Sequence, residues 1–177
     1  MVFGDSLSAA YGLQQNAGWV HLLGERLKQQ RRPYAVVNAS ISGETTRGGL
    51  TRIESALRQY RPAVVIVELG ANDGLRGLAL TDTQANLDAI VSRSQATKAK
   101  VLIVGIELPP NYGAAYLQRF ANVFHETARR RQTPLVPTLL AGFGERRELF
   151  QADGLHPTAE AQPIILETVW RELKPLL

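Results

Sequence analysis

"AVVIVELGANDG", residues 63–74, decides the fold. Its first half is apolar, mostly β-branched and without alternation, so it reads as a strand buried on both faces. That is the pattern of a parallel sheet covered by helices on either side. The run then breaks into a short polar loop bounded by glycines, Gly70 to Gly74. In open parallel sheets, functional groups gather just beyond the carboxyl ends of the strands. The loop is therefore a place to look for chemistry as well as a boundary.

The same reading extends along the chain. "YAVVNAS" (34–40), "KVLIVGIEL" (100–108) and "PLVPTLL" (134–140) are further short apolar runs, and Met1-Val2-Phe3 leads into "GDSLS". Between these runs, residues 19–30, 46–60, 83–97, 114–131 and 158–174 carry apolar positions at helical spacing. In the last of them Ile164, Ile165, Val169 and Leu173 make the stripe, beginning just after Pro157. Alternation of strand and helix with short connections predicts a three-layer α/β/α sandwich, one domain over 1–177.

Composition narrows the function classes. The chain has 177 residues, 45% hydrophobic and 20% charged, which is ordinary for a globular protein. It contains no cysteine, which removes disulfides, thiolate metal sites and a cysteine nucleophile. No apolar run approaches the ~20 residues of a membrane span, so no stable membrane insertion is expected. The net charge of +4 includes Arg31-Arg32, Arg129-Arg130-Arg131 and Arg146-Arg147. Most of these sit at the ends of predicted helices, where cations suit the helix dipole, so no nucleic-acid partner is expected. The histidines are scattered, no carboxylates share ligand spacing, and no phosphate-cradling glycine loop occurs, so neither metal nor cofactor is expected.

Four loops stand out: "GDSLS" (4–8), "ISGETT" (41–46), "GANDG" (70–74) and "DGLHP" (153–157). A serine near glycine and aspartate is commonly a turn or cap residue. To act as a nucleophile, Ser6 needs a base within hydrogen-bond reach. There are three histidines. His21 and His125 fall inside predicted helices, whereas His156 lies in a loop with Asp153 three residues earlier and Gly154 between them. That spacing lets the Asp153 carboxylate curl back onto the imidazole, fixing its tautomer and stabilising the imidazolium. Asp153 as a plain loop residue remains the other reading. Donors for an oxyanion are offered by the backbone N–H of Gly43, the Asn72 amide and the N–H of Ser6. Turn geometry for Gly43 and an Asx turn or helix cap for Asn72 stay open beside that role.

"GDSLS", Gly43 in "SISGET", Asn72 in "GAND" and "DGLHP" together resemble, in order, the four signature blocks of the SGNH (GDSL) hydrolases. "VVNASISGETT", "ELGANDGLRG", "LPPNYG" and "DGLHP…AQP" resemble more closely the bacterial multifunctional thioesterase I, arylesterase and lysophospholipase group. The resemblance runs over nearly the whole chain. It implies a flavodoxin-like sandwich with a five-stranded parallel sheet. It also implies Ser6 as nucleophile, His156 as general base and acid, Asp153 as its orienter, and Ser6, Gly43 and Asn72 as the oxyanion hole. Ala71 stands where the group commonly has glycine, and Glu44 where aspartate is usual. The strand before the serine is also longer in the family and follows a secretory leader. Periplasmic or secreted location is implied on that basis, and the short run before Ser6 reads either as a start inside the natural chain or as a trimmed first strand.

The implied chemistry is cofactor-free hydrolysis of fatty acyl thioesters, aryl esters and lysophospholipids, with small acyl substrates as partners and a monomer as the acting species. "LRGLAL" (75–80) and "LPPNYG" (108–113) are the expected walls of an acyl groove, through Leu75, Leu78, Pro109 and Tyr112. Gly74 and Gly77 would give the first wall hinge freedom, although a plain loop leading into a helix fits it equally. Two other functions remain: an acetyl esterase acting on carbohydrate with the same triad, and a silent flavodoxin-like binding module.

Overall fold

The computed structural model describes residues 1–14 and 16–177. A parallel sheet forms from β1 (Val2–Gly4), β2 (Val64–Glu68), β3 (Lys100–Val104) and β4 (Leu135–Val136), side by side in that order. All five residues of β2 are buried, Val64–Val67 as their apolar run requires and Glu68 along with them. The helices are α1 (Trp19–Gln29), α2 (Thr46–Tyr60), α3 (Ala71–Leu75), α4 (Leu80–Ala96), α5 (Ala114–Arg131) and α6 (Gln162–Leu173). α1 packs on α6, whereas α2 packs on α4 and α4 on α5, so two groups of helices sandwich the sheet.

The expectation of five strands is corrected in one place. "YAVVNAS" forms no regular strand; it touches the sheet through a single parallel bridge between Val2 and Asn38. Val2 N–H donates to Val37 O at 2.8 Å and Ala39 N–H to Val2 O at 2.8 Å, and the ladder stops there. The segment has one neighbour and is largely half-exposed, so its valines pack one face only. Its position is nonetheless that of an edge strand beyond β1. Counting it, the spatial order is 2-1-3-4-5, the flavodoxin-like doubly wound arrangement.

That order places a topological switch point at β1. The chain leaves β1 toward one edge through α1, then crosses back to β2 on the other side through α2. Ligands of doubly wound sheets bind in the crevice that such a reversal opens beyond the strand ends. "GDSLS" emerges there. β1 is only three residues long, but it is central, held by β2 on one side and the 37–39 segment on the other. Phe3, Trp19, Ile53, Leu102, Phe120 and Phe124 are fully buried around the sheet.

Three elements differ from the sequence reading. α6 begins at Gln162 rather than 158, after a short 3₁₀ turn over Ala159–Ala161. α4 begins at Leu80 rather than 83. "GANDG", expected as a loop, turns at Gly70 (φ 128°) and enters the short helix α3, which carries Asn72.

Candidate active site

Ser6 sits in the turn directly after β1. Asp5 shapes that turn by accepting the Leu7 N–H on Oδ1 at 3.0 Å, a local Asx turn. Ala9 N–H donates to Asp5 O at 2.9 Å and Tyr11 N–H to Ser6 O at 3.1 Å, which closes the loop into near-helical coils. Gly4 is required by space. A Cβ there would stand 2.6 Å from Glu68 Oε2 and 2.9 Å from Glu68 O.

His156 arrives from the far end of the chain. An antiparallel bridge between Phe150 and Pro157 pinches off the loop, with Gln151 N–H donating to His156 O at 2.7 Å and Thr158 N–H to Leu149 O at 2.8 Å. Gly154 takes a φ of 68°, a left-handed conformation that glycine enters without penalty. The Gln151 side chain then ties this loop to the serine turn. Its Nε2 donates to Tyr11 O at 2.9 Å and to Pro157 O at 3.1 Å.

The result is a line of three side chains. Ser6 Oγ lies 2.8 Å from His156 Nε2, and His156 Nδ1 lies 2.6 Å from Asp153 Oδ2. Asp153 Oδ1 also accepts the N–H groups of Leu155 at 2.9 Å and His156 at 3.0 Å. Burial pushes the Asp153 carboxyl up, but the hydrogen bonds from the His156 backbone, the His156 ring and Leu155 override it and hold it at about 2. An ionised Asp153 is acceptor only, so Nδ1 carries the imidazole proton and Nε2 is left to accept from the serine hydroxyl. His21 and His125 lie on α1 and α5, outside this line, as the elimination required.

The expected oxyanion donors lie on the serine turn, the 41–45 loop and α3, which hydrogen bonds tie together. Gly43 has a φ of 79°, and the N–H groups of Gly43 and Ser6 have no acceptor among the described residues. Asn72 Nδ2 donates to Asp5 Oδ2 at 3.1 Å and to Glu44 O at 3.0 Å, which ties α3 to the serine turn and the 41–45 loop. Behind it, buried Asp73 accepts from Thr46 N–H at 2.8 Å and Thr46 Oγ1 at 2.5 Å. Glu44, at the position where the family usually has aspartate, pairs with Arg52, whose guanidinium lies 3.9 Å from the Phe3 ring centroid.

Three residues at the site have no sequence signal of their own. Arg76 donates to Gly43 O at 2.9 Å and to Asn72 Oδ1 at 3.5 Å, bridging two of the expected oxyanion residues. Tyr11 stacks on the His156 ring with centroids 4.5 Å apart. Gln151 is the third. Each pairs with a partner distant in sequence or hidden in a loop, so no periodicity or spacing announces it.

Of the expected acyl-groove residues, Leu75 and Tyr112 are brought together, Tyr112 Oη donating to Leu75 O at 2.9 Å. Tyr116 Oη donates to Gly74 O at 3.2 Å, which braces the same junction. Leu78 is 42% exposed and Pro109 half-buried. An apolar hollow of about 90 Å³, lined in part by Leu23, Val36, Tyr60 and Leu173, lies at the opposite end of the sheet from Ser6. Among the described residues no three His, Asp or Glu side chains are gathered as a metal site would need.

The chain belongs to the GDSL-like Lipase/Acylhydrolase family, which it matches over residues 2–163, and it is a carboxylic ester hydrolase. It is 50% identical to Esterase TesA of Pseudomonas aeruginosa over all of this chain and 88% of that protein. It is 38% identical to Thioesterase 1/protease 1/lysophospholipase L1 of Escherichia coli strain K12, over all of this chain and 84% of that one. The crystal structure of TesA superposes with a TM-score of 0.98 at 50% identity, covering 99% of this chain and 98% of that chain. Among the described residues no helix is long and apolar enough to cross a membrane.

Proposed function

We propose that the chain, acting as a single domain over 1–177, hydrolyses esters and thioesters of fatty acyl groups, aryl esters and lysophospholipids through an acyl intermediate on Ser6. The observation that carries this is the unbroken line from Ser6 Oγ through His156 to Asp153, at 2.8 and 2.6 Å. His156 Nε2 takes the serine proton as Oγ attacks the acyl carbon, and Asp153 stabilises the imidazolium that forms. The tetrahedral oxyanion is held by the N–H groups of Ser6 and Gly43 and the amide of Asn72. The imidazolium then protonates the departing alkoxide or thiolate. Water enters, gives its proton to Nε2 and attacks the acyl-serine. Collapse releases the acid and returns the proton to Oγ.

The long-acyl reading rests on the relatives' names and on the Leu75–Tyr112 junction beside Asn72, with Leu78 and Pro109 as further walls. Export to the periplasm belongs to the same reading and rests on the resemblance. A fluorophosphonate probe followed by peptide mass spectrometry should place the adduct on Ser6; an adduct elsewhere overturns the assignment. A chain-length series of nitrophenyl esters tests the acyl class, because hydrolysis confined to acetyl would favour the carbohydrate deacetylase instead.

A further inference from the structure

Directly beneath the serine turn lie two carboxyl groups that the mechanism above does not use. Asp5 is 0% and Glu68 1% exposed. Glu68 Oε2 accepts from Ser8 Oγ at 2.7 Å and from Asp5 N–H at 3.4 Å. Asp5 accepts from Leu7 N–H and from Asn72 Nδ2. No Arg, Lys or His forms an ion pair with either carboxyl among the described residues. From α2 the cation Arg52 is paired with Glu44; α3 presents Asp73, a third carboxylate; and His156 faces Asp5 from the late loop.

Two carboxylates side by side in such a place cannot both ionise, because each desolvated charge raises the cost of the other. The donors are unequally shared. Asp5 holds the rigid Leu7 N–H at 3.0 Å and the Asn72 amide at 3.1 Å, whereas the short bond to Glu68 comes from a rotatable hydroxyl and its one backbone donor stands off at 3.4 Å. We propose that the pair carries one charge, on Asp5, with the proton kept by Glu68, and that Asp5 is thereby a positioning residue that fixes the Asn72 amide and the serine turn. Burial pushes both groups up, Asp5 to about 6 and Glu68 well above its ordinary value, in keeping with a single shared charge.

A second consequence follows from the amide itself. Asn72 Nδ2 has two hydrogens, and each already has an acceptor, Asp5 Oδ2 and Glu44 O. The oxyanion therefore arrives as a third acceptor, and the amide must meet it without turning away. A charged Asp5 oxygen is the stronger of the two anchors, so it sets the amide plane in advance of the reaction.

The proposal rests on Asn72 acting as an oxyanion donor, and the experiment separates the two. Wild type, Asp5→Asn and Glu68→Gln are compared for nitrophenyl butyrate hydrolysis across pH, with fluorophosphonate labelling of Ser6 and thermal melts alongside. Asp5→Asn should lower kcat roughly tenfold to a hundredfold with KM little changed. It should also move the acid limb of kcat/KM to lower pH, because a negative charge facing His156 is gone. Glu68→Gln, which imitates the protonated acid, should lose at least tenfold less. Equal kcat and an unmoved acid limb in Asp5→Asn, with Ser6 still labelled, overturn the proposal; loss of labelling in wild type would instead sink the mechanism.

If Asp5→Asn does not fold, the melts decide. A carboxyl whose folded value is raised supports the folded state fully below its ordinary value of 4.5 and loses that support as pH rises through the folded value. Wild-type melting temperature should therefore decline more steeply with pH over that window than that of Glu68→Gln. Parallel declines overturn the assignment of the proton to Glu68.

Discussion

The two halves of the Ser6–His156 line are held by different means. The serine turn grows out of a central strand, with Phe3, Leu7, Ser8, Asp5 and Glu68 all buried about it. The histidine loop lies mostly in solvent: Asp153, Gly154 and Leu155 are exposed, and one bridge with the Gln151 side chain holds it in place. One half is therefore fixed by the core, and a fault in the packing beneath it is a folding fault. The other is fixed by a handful of local bonds, and a fault there costs chemistry while the fold survives. Binding geometry needs both, but only one is secured by burial.

The sharpest break is removal of the end groups themselves. Ser6→Ala or His156→Ala should reduce kcat by on the order of 10⁴-fold or more, with the melting temperature held, as steady-state kinetics and calorimetry would show. Next comes Asn72→Ala, expected to lower kcat by about 10²–10³, the ordinary cost of one oxyanion donor. An Asn72→Ala enzyme with wild-type kcat would remove Asn72 from the reaction.

Two glycines contrast the halves most directly. Gly4→Ala must force a Cβ against Glu68, its backbone carbonyl included, and should destabilise by about 1–3 kcal/mol in urea titrations. Gly154→Ala meets no atom within 4 Å, so its cost is the left-handed backbone alone, about 1–2 kcal/mol. The second variant should lose more activity per unit of stability than the first. The reverse order would mean that the serine side, not the histidine loop, tunes catalysis.

Smaller effects probe the histidine loop itself. Tyr11 is 52% exposed, so its ring face is worth about 0.5–1 kcal/mol to the imidazolium. Tyr11→Leu should lower kcat/KM by a few-fold, and Tyr11→Phe should restore it. Smallest is the pH signature of Asp153. Its depressed carboxyl supports the fold above the ordinary value of 3.8 and loses that support as pH falls through about 2. The melting difference between wild type and Asp153→Asn should thus shrink in acid, opposite in sign to the Glu68 effect.

Much of this was legible in the sequence, and the exceptions share a cause. Strands such as 64–68 announce themselves because burial on both faces writes an unbroken apolar run. "YAVVNAS" writes nearly the same run, yet it meets the sheet at one bridge, since its edge position is a tertiary fact. α3 is five residues long, too short to write a helical period, so the sequence around Asn72 reads as a loop. The pairing of Ser6, His156 and Asp153 could be anticipated because each chemistry admits few residue types and the chain holds three histidines. Arg76, Tyr11 and Gln151 could not, because their meaning lies in partners that only folding supplies.

The bond between Ser6 and His156 spans 150 residues. During synthesis the Ser6 hydroxyl is made long before the His156 ring it pairs with, which appears only after the last strand, β4, has been made. A chain released or cut short anywhere before His156 carries a serine with nothing to activate it. The order of the chain thus makes the Ser6–His156 line a late event of synthesis, complete only after all four strands of the sheet have been made.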